Sequence, residues 1–206
     1  MKKSITVGLF TLASAVAHAA ADTAPDVLAR SVTDEVMTIV RTDKELQAGR
    51  TERLSQLVEI KVLPHFNFVH MTQLAVGRNW RQATPEQQQS LVDEFRTLLV
   101  RTYTTAFMQY KDQTVDYKPL RMAPTDTDVL VKSLIKQTGG QPVAIDYNME
   151  NLGSGWKVYD VKIEGISLVE NYRNTFNSEV QKNGVDGLIK ALSDKNKAVA
   201  AQTAKR

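Results

Sequence analysis

Few side chains in this 206-residue sequence could carry out catalysis or hold a metal ion. The chain contains no cysteine, which excludes a disulfide scaffold, a thiol nucleophile and any cysteine-ligated zinc or iron–sulfur site. Of the three histidines, His18 lies near the N-terminus, and His65 and His70 lie five positions apart, a spacing that does not place them on one face of a helix. The pattern suggests no third ligand, so we predict neither a metal site nor a cofactor.

The motifs of nucleophilic and nucleotide chemistry are also missing. The sequence has no G-x-S-x-G elbow, no P-loop and no G-x-G-x-x-G motif. The run Gly153-Ser154-Gly155 is typical of a turn. Asp146 and Asp160 are single carboxylates that alternate with apolar residues, so we expect both to face solvent from strands. The sequence therefore predicts no catalytic site.

The first 21 residues are typical of a secretory signal peptide. Lys2 and Lys3 precede an apolar stretch, residues 5–16, and the small-residue run Ala17-His18-Ala19 follows. A basic start, a short apolar core and an A-x-A end define such a leader. We expect cleavage after Ala19 or after Ala21, and export of the remaining chain; the alternative is an uncleaved N-terminal anchor.

The formal net charge of +3 does not indicate a nucleic-acid partner. The excess basic residues lie in the leader and in the last segment, which carries Lys190, Lys195, Lys197, Lys205 and Arg206. Because the body between them is slightly acidic, it has no basic footprint for nucleic acid. We predict a folded domain over residues 22–194 and a basic tail over 195–206.

Helical spacing of apolar residues dominates the first half of the domain, about residues 26–110. The longest predicted helix begins at Thr84-Pro85-Glu86-Gln87, where Thr84 suits an N-cap, Pro85 the first helical position, and Gln87 completes a capping box. Its apolar face continues through Phe107 to Tyr110. The other predicted helices are shorter and end near Gly49, Pro64 and Gly77.

The period then changes to two, over about residues 114–164. Four strands are predicted at 114–120, 129–136, 142–151 and 156–164, joined by glycine-rich turns. Two helices follow, over about 166–194, separated at Gly184. Helices segregated to one side of an antiparallel sheet make an α+β domain. A curved four-stranded sheet wrapped by helices, including an N-terminal helical subdomain, encloses an apolar pocket.

Several runs of this sequence are similar to one protein family. They are LPHF at 63–66, LAVGRNWRQATPEQ at 74–87, GWKVYDV at 155–161, EGISLV at 164–169, NYRNTF at 171–176 and GVDGLI at 184–189. In this order they resemble the MlaC/toluene-tolerance family of periplasmic phospholipid-binding proteins. Asn67 departs from the family pattern, in which we expect an acid.

The resemblance implies a periplasmic, monomeric carrier with an NTF2-like sheet. Its cargo would be phospholipid, with no cofactor, and it would not be an enzyme. Its partners would be an outer-membrane lipoprotein–porin complex and an inner-membrane ABC transporter complex with a membrane-anchored ring subunit. The implied role is to maintain the lipid asymmetry of the outer membrane.

For such a carrier, the predicted lipid-binding residues are apolar and aromatic positions on three segments. They are Phe95, Leu98, Leu99, Tyr103 and Phe107 on the long helix, Ile145, Tyr147, Tyr159, Val161 and Ile163 on the sheet, and Leu168, Tyr172 and Phe176 on the helix after it. Arg173 is the candidate for contact with a phosphate. Periodicity alone does not separate lining residues from ordinary core.

Two other functions are compatible with the same residues. An NTF2-like enzyme acting on an apolar small molecule would need Asp146 or Asp160 as base and a tyrosine as donor. A carrier for lipoproteins or another apolar cargo would need the same pocket but a different ligand. The orientation of the two aspartates tests the first alternative, and the bound ligand tests the second.

Overall fold

The computed structural model describes residues 23–104, 113–137 and 139–203. Within these ranges the chain forms an α+β fold, as expected. The helices are α1 (Pro25–Thr42), α2 (Lys44–Gln47), α3 (Thr51–Lys61), α4 (Phe68–Val76), α5 (Pro85–Tyr103) and α6 (Glu170–Thr203). Two 3₁₀ helices, Leu63–His65 and Gly77–Gln82, flank α4. Among the residues described, no helix is both long and apolar enough to cross a membrane.

Local sequence signals explain where the helices begin and end. Thr84 and Gln87 form the predicted capping box: the Thr84 hydroxyl accepts from the Gln87 backbone N–H at 3.2 Å, and the Gln87 side chain accepts from the Thr84 N–H at 3.0 Å. The Asn67 side chain accepts from the His70 N–H and so begins α4. Gly184 has φ of 70° inside α6 and divides it into two helices.

The five strands form one antiparallel meander in the order β1-β2-β3-β4-β5. Their bounds are β1 (Thr114–Tyr117), β2 (Asp128–Lys136), β3 (Val143–Asn151), β4 (Trp156–Ile163) and β5 (Ile166–Ser167). The sequence predicted four strands; β5 is the addition. It has only two residues, too few for a periodic pattern to be visible in the sequence.

A bulge interrupts the pairing of β3 with β4. Asn148 pairs with Asp160 and Met149 with Val158, so Tyr159 is one extra residue on β4. Because side chains alternate along a strand, this extra residue reverses the alternation of β4 at that point. The face of the sheet that carries Met149 and Val158 is called here the inner face.

Three apolar clusters hold the fold together. The helical core joins α4, α5 and α6 through Met71, Ala75, Val76, Ala83, Leu91, Phe95, Leu98, Leu99, Val169, Phe176, Leu188 and Leu192. A second cluster covers one end of the inner face with Tyr117, Val129, Val131, Met149, Trp156 and Val158. A third joins α1, α2 and α3 through Val36, Leu46, Leu54, Leu57 and Val58.

Two predicted boundaries lie outside the described residues. The leader falls in residues 1–22, and the predicted continuation of α5 through Phe107 to Tyr110 falls in 105–112. The domain boundary predicted at residue 194 stays a prediction; α6 continues past that residue to Thr203. Asn196 is buried there, and its amide donates to the Glu94 side chain at 2.7 Å, which fixes this segment against α5.

Candidate functional site

A cavity of about 270 Å³, partly open to solvent, lies between the inner face of the sheet and the helices α1, α3, α4 and α5. The sheet contributes Val115, Ile135, Ile145, Tyr147, Met149, Val158, Val161 and Ile163, and Leu168 follows β5. The helical side contributes Leu28, Ala29, Val32, Thr33, Val36, Met37, Val58, Val62, Leu63, His65, Phe66, Phe68, Met71, Leu99, Val100, Tyr103 and Thr104.

None of these described lining residues is an acid, a lysine or an arginine. The Thr33 hydroxyl of the wall bonds to the Tyr117 hydroxyl at 2.7 Å, and Tyr117 also donates to the Ala29 carbonyl. The Thr104 hydroxyl is buried and has no hydrogen-bond partner among the described residues. Burial lowers the pKa of His65, and the positive charge of Lys157 lowers it further, whereas the negative charge of Glu35 raises it. The neutral imidazole is therefore favoured, and the wall offers an apolar ligand no charge to desolvate.

Seven of the predicted lipid-binding residues lie on this wall. They are Leu99, Tyr103, Ile145, Tyr147, Val161, Ile163 and Leu168. The structure brings them together because alternate residues of β3 face the cavity and because Leu99 and Tyr103 are four apart on α5. Their contact with lipid remains a prediction.

Four other predicted residues do not line the cavity. Phe95, Leu98 and Phe176 are buried in the helical core, and Tyr172 packs against that core. Phe95 makes edge contacts with Tyr172 and Phe176, with ring centroids 5.1 and 5.2 Å apart. Burial raises the pKa of Tyr172 to about 12, and so does its interaction with Tyr103. The apolar surface of α5 is wide enough to contact both α6 and the cavity, and the sequence pattern does not separate the two.

Tyr159 also lies away from the cavity, because of the bulge in β4. Its ring stacks on His70 with centroids 4.5 Å apart, and its hydroxyl donates to Asp128 at 2.8 Å. Burial raises the pKa of Tyr159, and the Asp128 carboxylate raises it further. The strict alternation that the sequence suggested for this strand was therefore wrong at Tyr159.

Arg173 does not face the cavity either. Its guanidinium Nε donates to the Leu74 carbonyl at 3.0 Å, and one terminal nitrogen lies 3.9 Å from Glu170. Leu74 belongs to the last turn of α4, whose carbonyls lack partners within the helix. Arg173 thus ties α6 to the end of α4, which is a structural role. Phe107, the remaining predicted residue, lies outside the described residues.

Sequence reasoning missed the contribution of α1 to the cavity. Leu28, Val32 and Val36 line it at helical spacing. The amphipathic pattern of this helix is clear in the sequence, and it predicted the helix. The pattern does not show which surface the apolar face of α1 packs against.

On the outer face of the sheet, Glu150 is held by two polar neighbours. Glu150 is buried, and one of its carboxylate oxygens accepts from the Asn67 amide at 2.8 Å and lies 2.9 Å from Nδ1 of His70. An acid at position 67 would place a second negative charge against Glu150, so the asparagine found here suits its neighbour.

Neither aspartate considered as a catalytic base reaches the cavity. Asp146 is on the outer face, in register with Lys132 and Lys162. Asp160 was expected to face solvent, but it is buried: it accepts from the Val169 N–H at 3.2 Å and lies 3.4 Å from the Asn148 amide. Within the described part of the chain, no three acidic or histidine side chains converge as a metal site would require.

Comparison with known proteins adds to this geometry. A sequence model of the MlaC protein family matches residues 30–194, most of the chain. The chain belongs to the MlaC family. The intermembrane phospholipid transport system binding protein MlaC of Haemophilus influenzae is 22% identical over 194 residues, which are 92% of this chain and 91% of that protein. Toluene tolerance protein ttg2D of Pseudomonas putida is 33% identical over 108 residues, about half of each chain (52% and 49%).

A solved structure shares both sequence and fold with this MlaC-family chain. The phospholipid-binding protein of Ralstonia solanacearum, in complex with a phospholipid, superposes with a TM-score of 0.80 and 42% identity. The match covers 86% of this chain and 99% of that one. The runs that carried the resemblance to the MlaC family form the two 3₁₀ helices, the end of α4 and the start of α5, and then β4, the β4–β5 turn, β5 and two parts of α6.

Proposed function

We propose that this chain is a periplasmic phospholipid carrier whose cavity holds acyl chains. The observation that carries the proposal is a cavity whose described lining residues include no acid, lysine or arginine, in a member of the MlaC family. The phospholipid complex of the R. solanacearum protein, at 42% identity, supports the same cargo.

The energetics of lipid in water explain why such a carrier needs a cavity and little else. Each methylene removed from water contributes about 0.8 kcal/mol, so an acyl chain of roughly 14 methylenes costs about 11 kcal/mol to expose. The headgroup prefers water and needs no strong contact. A wall of aliphatic and aromatic side chains supplies the required environment, and no step of the proposed activity needs a catalytic group.

We further propose that the carrier moves lipid between an outer-membrane lipoprotein–porin complex and an inner-membrane ABC transporter complex. The name of the H. influenzae relative, which describes an intermembrane transport system, supports this. The predicted leader, residues 1–21, supports the periplasm as the compartment. Sequencing the N-terminus of the exported protein should give Ala20 or Asp22; recovery of the uncleaved chain in the inner membrane would contradict export.

The cargo is tested by native mass spectrometry of the purified protein followed by lipid extraction. We expect a mass increment equal to one or more phospholipids. A different apolar molecule, or a lipoprotein acyl peptide, would overturn the choice of cargo.

The site is tested by Val161→Glu, which places a carboxylate on the cavity wall. An unpaired charge against acyl chains costs several kcal/mol or must take up a proton. The variant should fold, as judged by circular dichroism, and yet co-purify with much less phospholipid. Lys132→Glu is the matched control, because this exposed residue lies on the outer face of the same sheet and should leave the lipid load unchanged. A full lipid load in Val161→Glu would place the lipid elsewhere.

A further inference from the structure

The exposure of the inner face rises steadily along β4. Trp156 and Val158 are buried, Val161 is half-buried, and Ile163 is 36% exposed. At the buried end, Trp156 packs with Tyr117 in the second apolar cluster and neither residue lines the cavity. The inner face is therefore covered at the start of β4 and exposed at its end.

The apolar surface continues from the cavity to the outside through one cross-strand pair. Ile163 on β4 lines the cavity and pairs with Ile166 on β5. Residues paired directly across antiparallel strands have their side chains on the same face. Ile166 does not line the cavity and is 67% exposed. An exposed isoleucine next to a cavity-lining isoleucine extends the apolar wall into solvent.

The turn that holds this pair is strained, and the surrounding contacts maintain it. Glu164 and Gly165 both have positive φ, 50° and 78°, as in the type I′ turn of a two-residue hairpin. Glycine adopts this conformation freely, whereas glutamate does not. The Glu164 N–H donates to the Ala144 carbonyl at 2.9 Å, and the Glu164 carboxylate accepts from the Ala144 N–H. The tight turn fixes Ile166 beside Ile163.

We propose that the β4–β5 hairpin, residues 163–166, is the portal over which acyl chains enter and leave the cavity. This inference rests on the proposed lipid-carrier function. Ile166 offers a passing chain an apolar contact between the cavity and the acceptor membrane, yet it does not touch a chain lodged inside. Its removal should therefore slow loading and release by the same factor and leave the equilibrium lipid load unchanged.

The experiment measures transfer of a fluorescent phosphatidylethanolamine between the exported protein and vesicles of unlabelled phosphatidylcholine, in both directions. Ile166→Gln removes the apolar contact without adding a charge. Each methylene left in water changes a rate by about fourfold. The loss of two methylene equivalents at Ile166 should therefore lower the loading rate and the release rate on the order of tenfold. Ile166→Leu should restore them.

Leu152→Gln is the matched control. Leu152 is 74% exposed on the β3–β4 turn, at the opposite end of β4, and should not influence transfer. Equal rates in Ile166→Gln and Leu152→Gln would overturn the portal. A loss of self-association in Ile166→Gln with normal transfer rates would assign the hairpin to a contact between copies and would also overturn it. If the wild-type protein takes up no lipid from the vesicles, the proposed carrier function fails instead.

Discussion

On α5, Phe95 and Leu98 are fully buried in the helical core, whereas Tyr103 lines the cavity and Leu99 contributes to both. The same types of side chain thus form a close-packed core in one region and the wall of an open space in the other. In the helical core, each methylene gains both removal from water and contact with neighbours. At the cavity wall, the side chains make such contacts only when a ligand fills the space. We infer that the helical core supplies most of the stability of the empty protein.

The largest expected effect is the filling of the cavity. A ligand that binds only the folded state adds about 4 kcal/mol when its free concentration is a thousand times Kd. Lipid-loaded protein should therefore melt several degrees above protein stripped of lipid, as measured by calorimetry on matched samples. Identical melting temperatures would mean that lipid does not occupy a site formed on folding.

Truncations in the helical core should mainly lower stability, whereas truncations at the cavity wall should mainly reduce lipid retention. Leu98→Ala removes a fully buried side chain from the helical core and should cost about 2 to 5 kcal/mol in the free energy of unfolding. Ile145→Ala removes a half-buried side chain from the cavity wall, so it should cost less in the stripped protein and should instead reduce lipid retention. Urea unfolding of both stripped variants tests this difference; equal losses would show that the wall is as tightly packed as the core.

Asp160 links the sheet to the helical core, since it lies on β4 and accepts from the Val169 N–H at the start of α6. Asp160→Ala would leave that buried N–H without its partner, at a cost of about 1 to 3 kcal/mol. Asp146→Ala, on the outer face of the same sheet, should change the free energy of unfolding by less than about 0.5 kcal/mol. Comparable losses in the two variants would contradict the role assigned to Asp160.

The smallest expected effect is a pH dependence of lipid binding through His65. The pKa of His65 is lowered in the folded protein, so the unfolded state binds more protons as pH falls below about 6.5, and stability decreases on acidification. Acyl chains against the ring would remove more water and lower its pKa further. Lipid binding should therefore be weaker at low pH than at neutral pH, because a proton on the ring opposes binding of the acyl chains.

Fluorescence titrations with lipid at pH 7.5 and 5.5 measure this dependence. His65→Gln should abolish it. His70→Gln should retain it, because His70 lies outside the cavity beside Glu150. Retention of the full pH dependence in His65→Gln would assign the effect to another group.

How far the sequence predicts this protein depends on the range of the interactions involved. The Thr84–Gln87 capping box and the break at Gly184 are local, and both occur where the pattern placed them. The α+β order follows from the periodicity of the apolar residues. The position of Tyr159 could not be predicted, because a bulge depends on pairing with a second strand.

The candidate site was predictable only in part for the same reason. Leu99 and Tyr103 line the cavity while Phe95 and Leu98 do not, although all four belong to one wide apolar surface of α5. Which side of that surface meets α6 and which meets an open space is decided by tertiary packing. A periodic pattern identifies residues that avoid water, but it does not show whether protein or ligand covers them.

The packing of α6 against α5 also determines how late in synthesis the helical core can form. Leu188 and Leu192 complete the helical core around Leu98, but they are synthesised some 90 residues later. At 5 to 20 residues per second, roughly 5 to 20 s pass before they can cover it. During that interval the apolar surface of α5 has no intramolecular partner in α6. The helical core, and with it the fold, is therefore completed only after the C-terminal helix has been made.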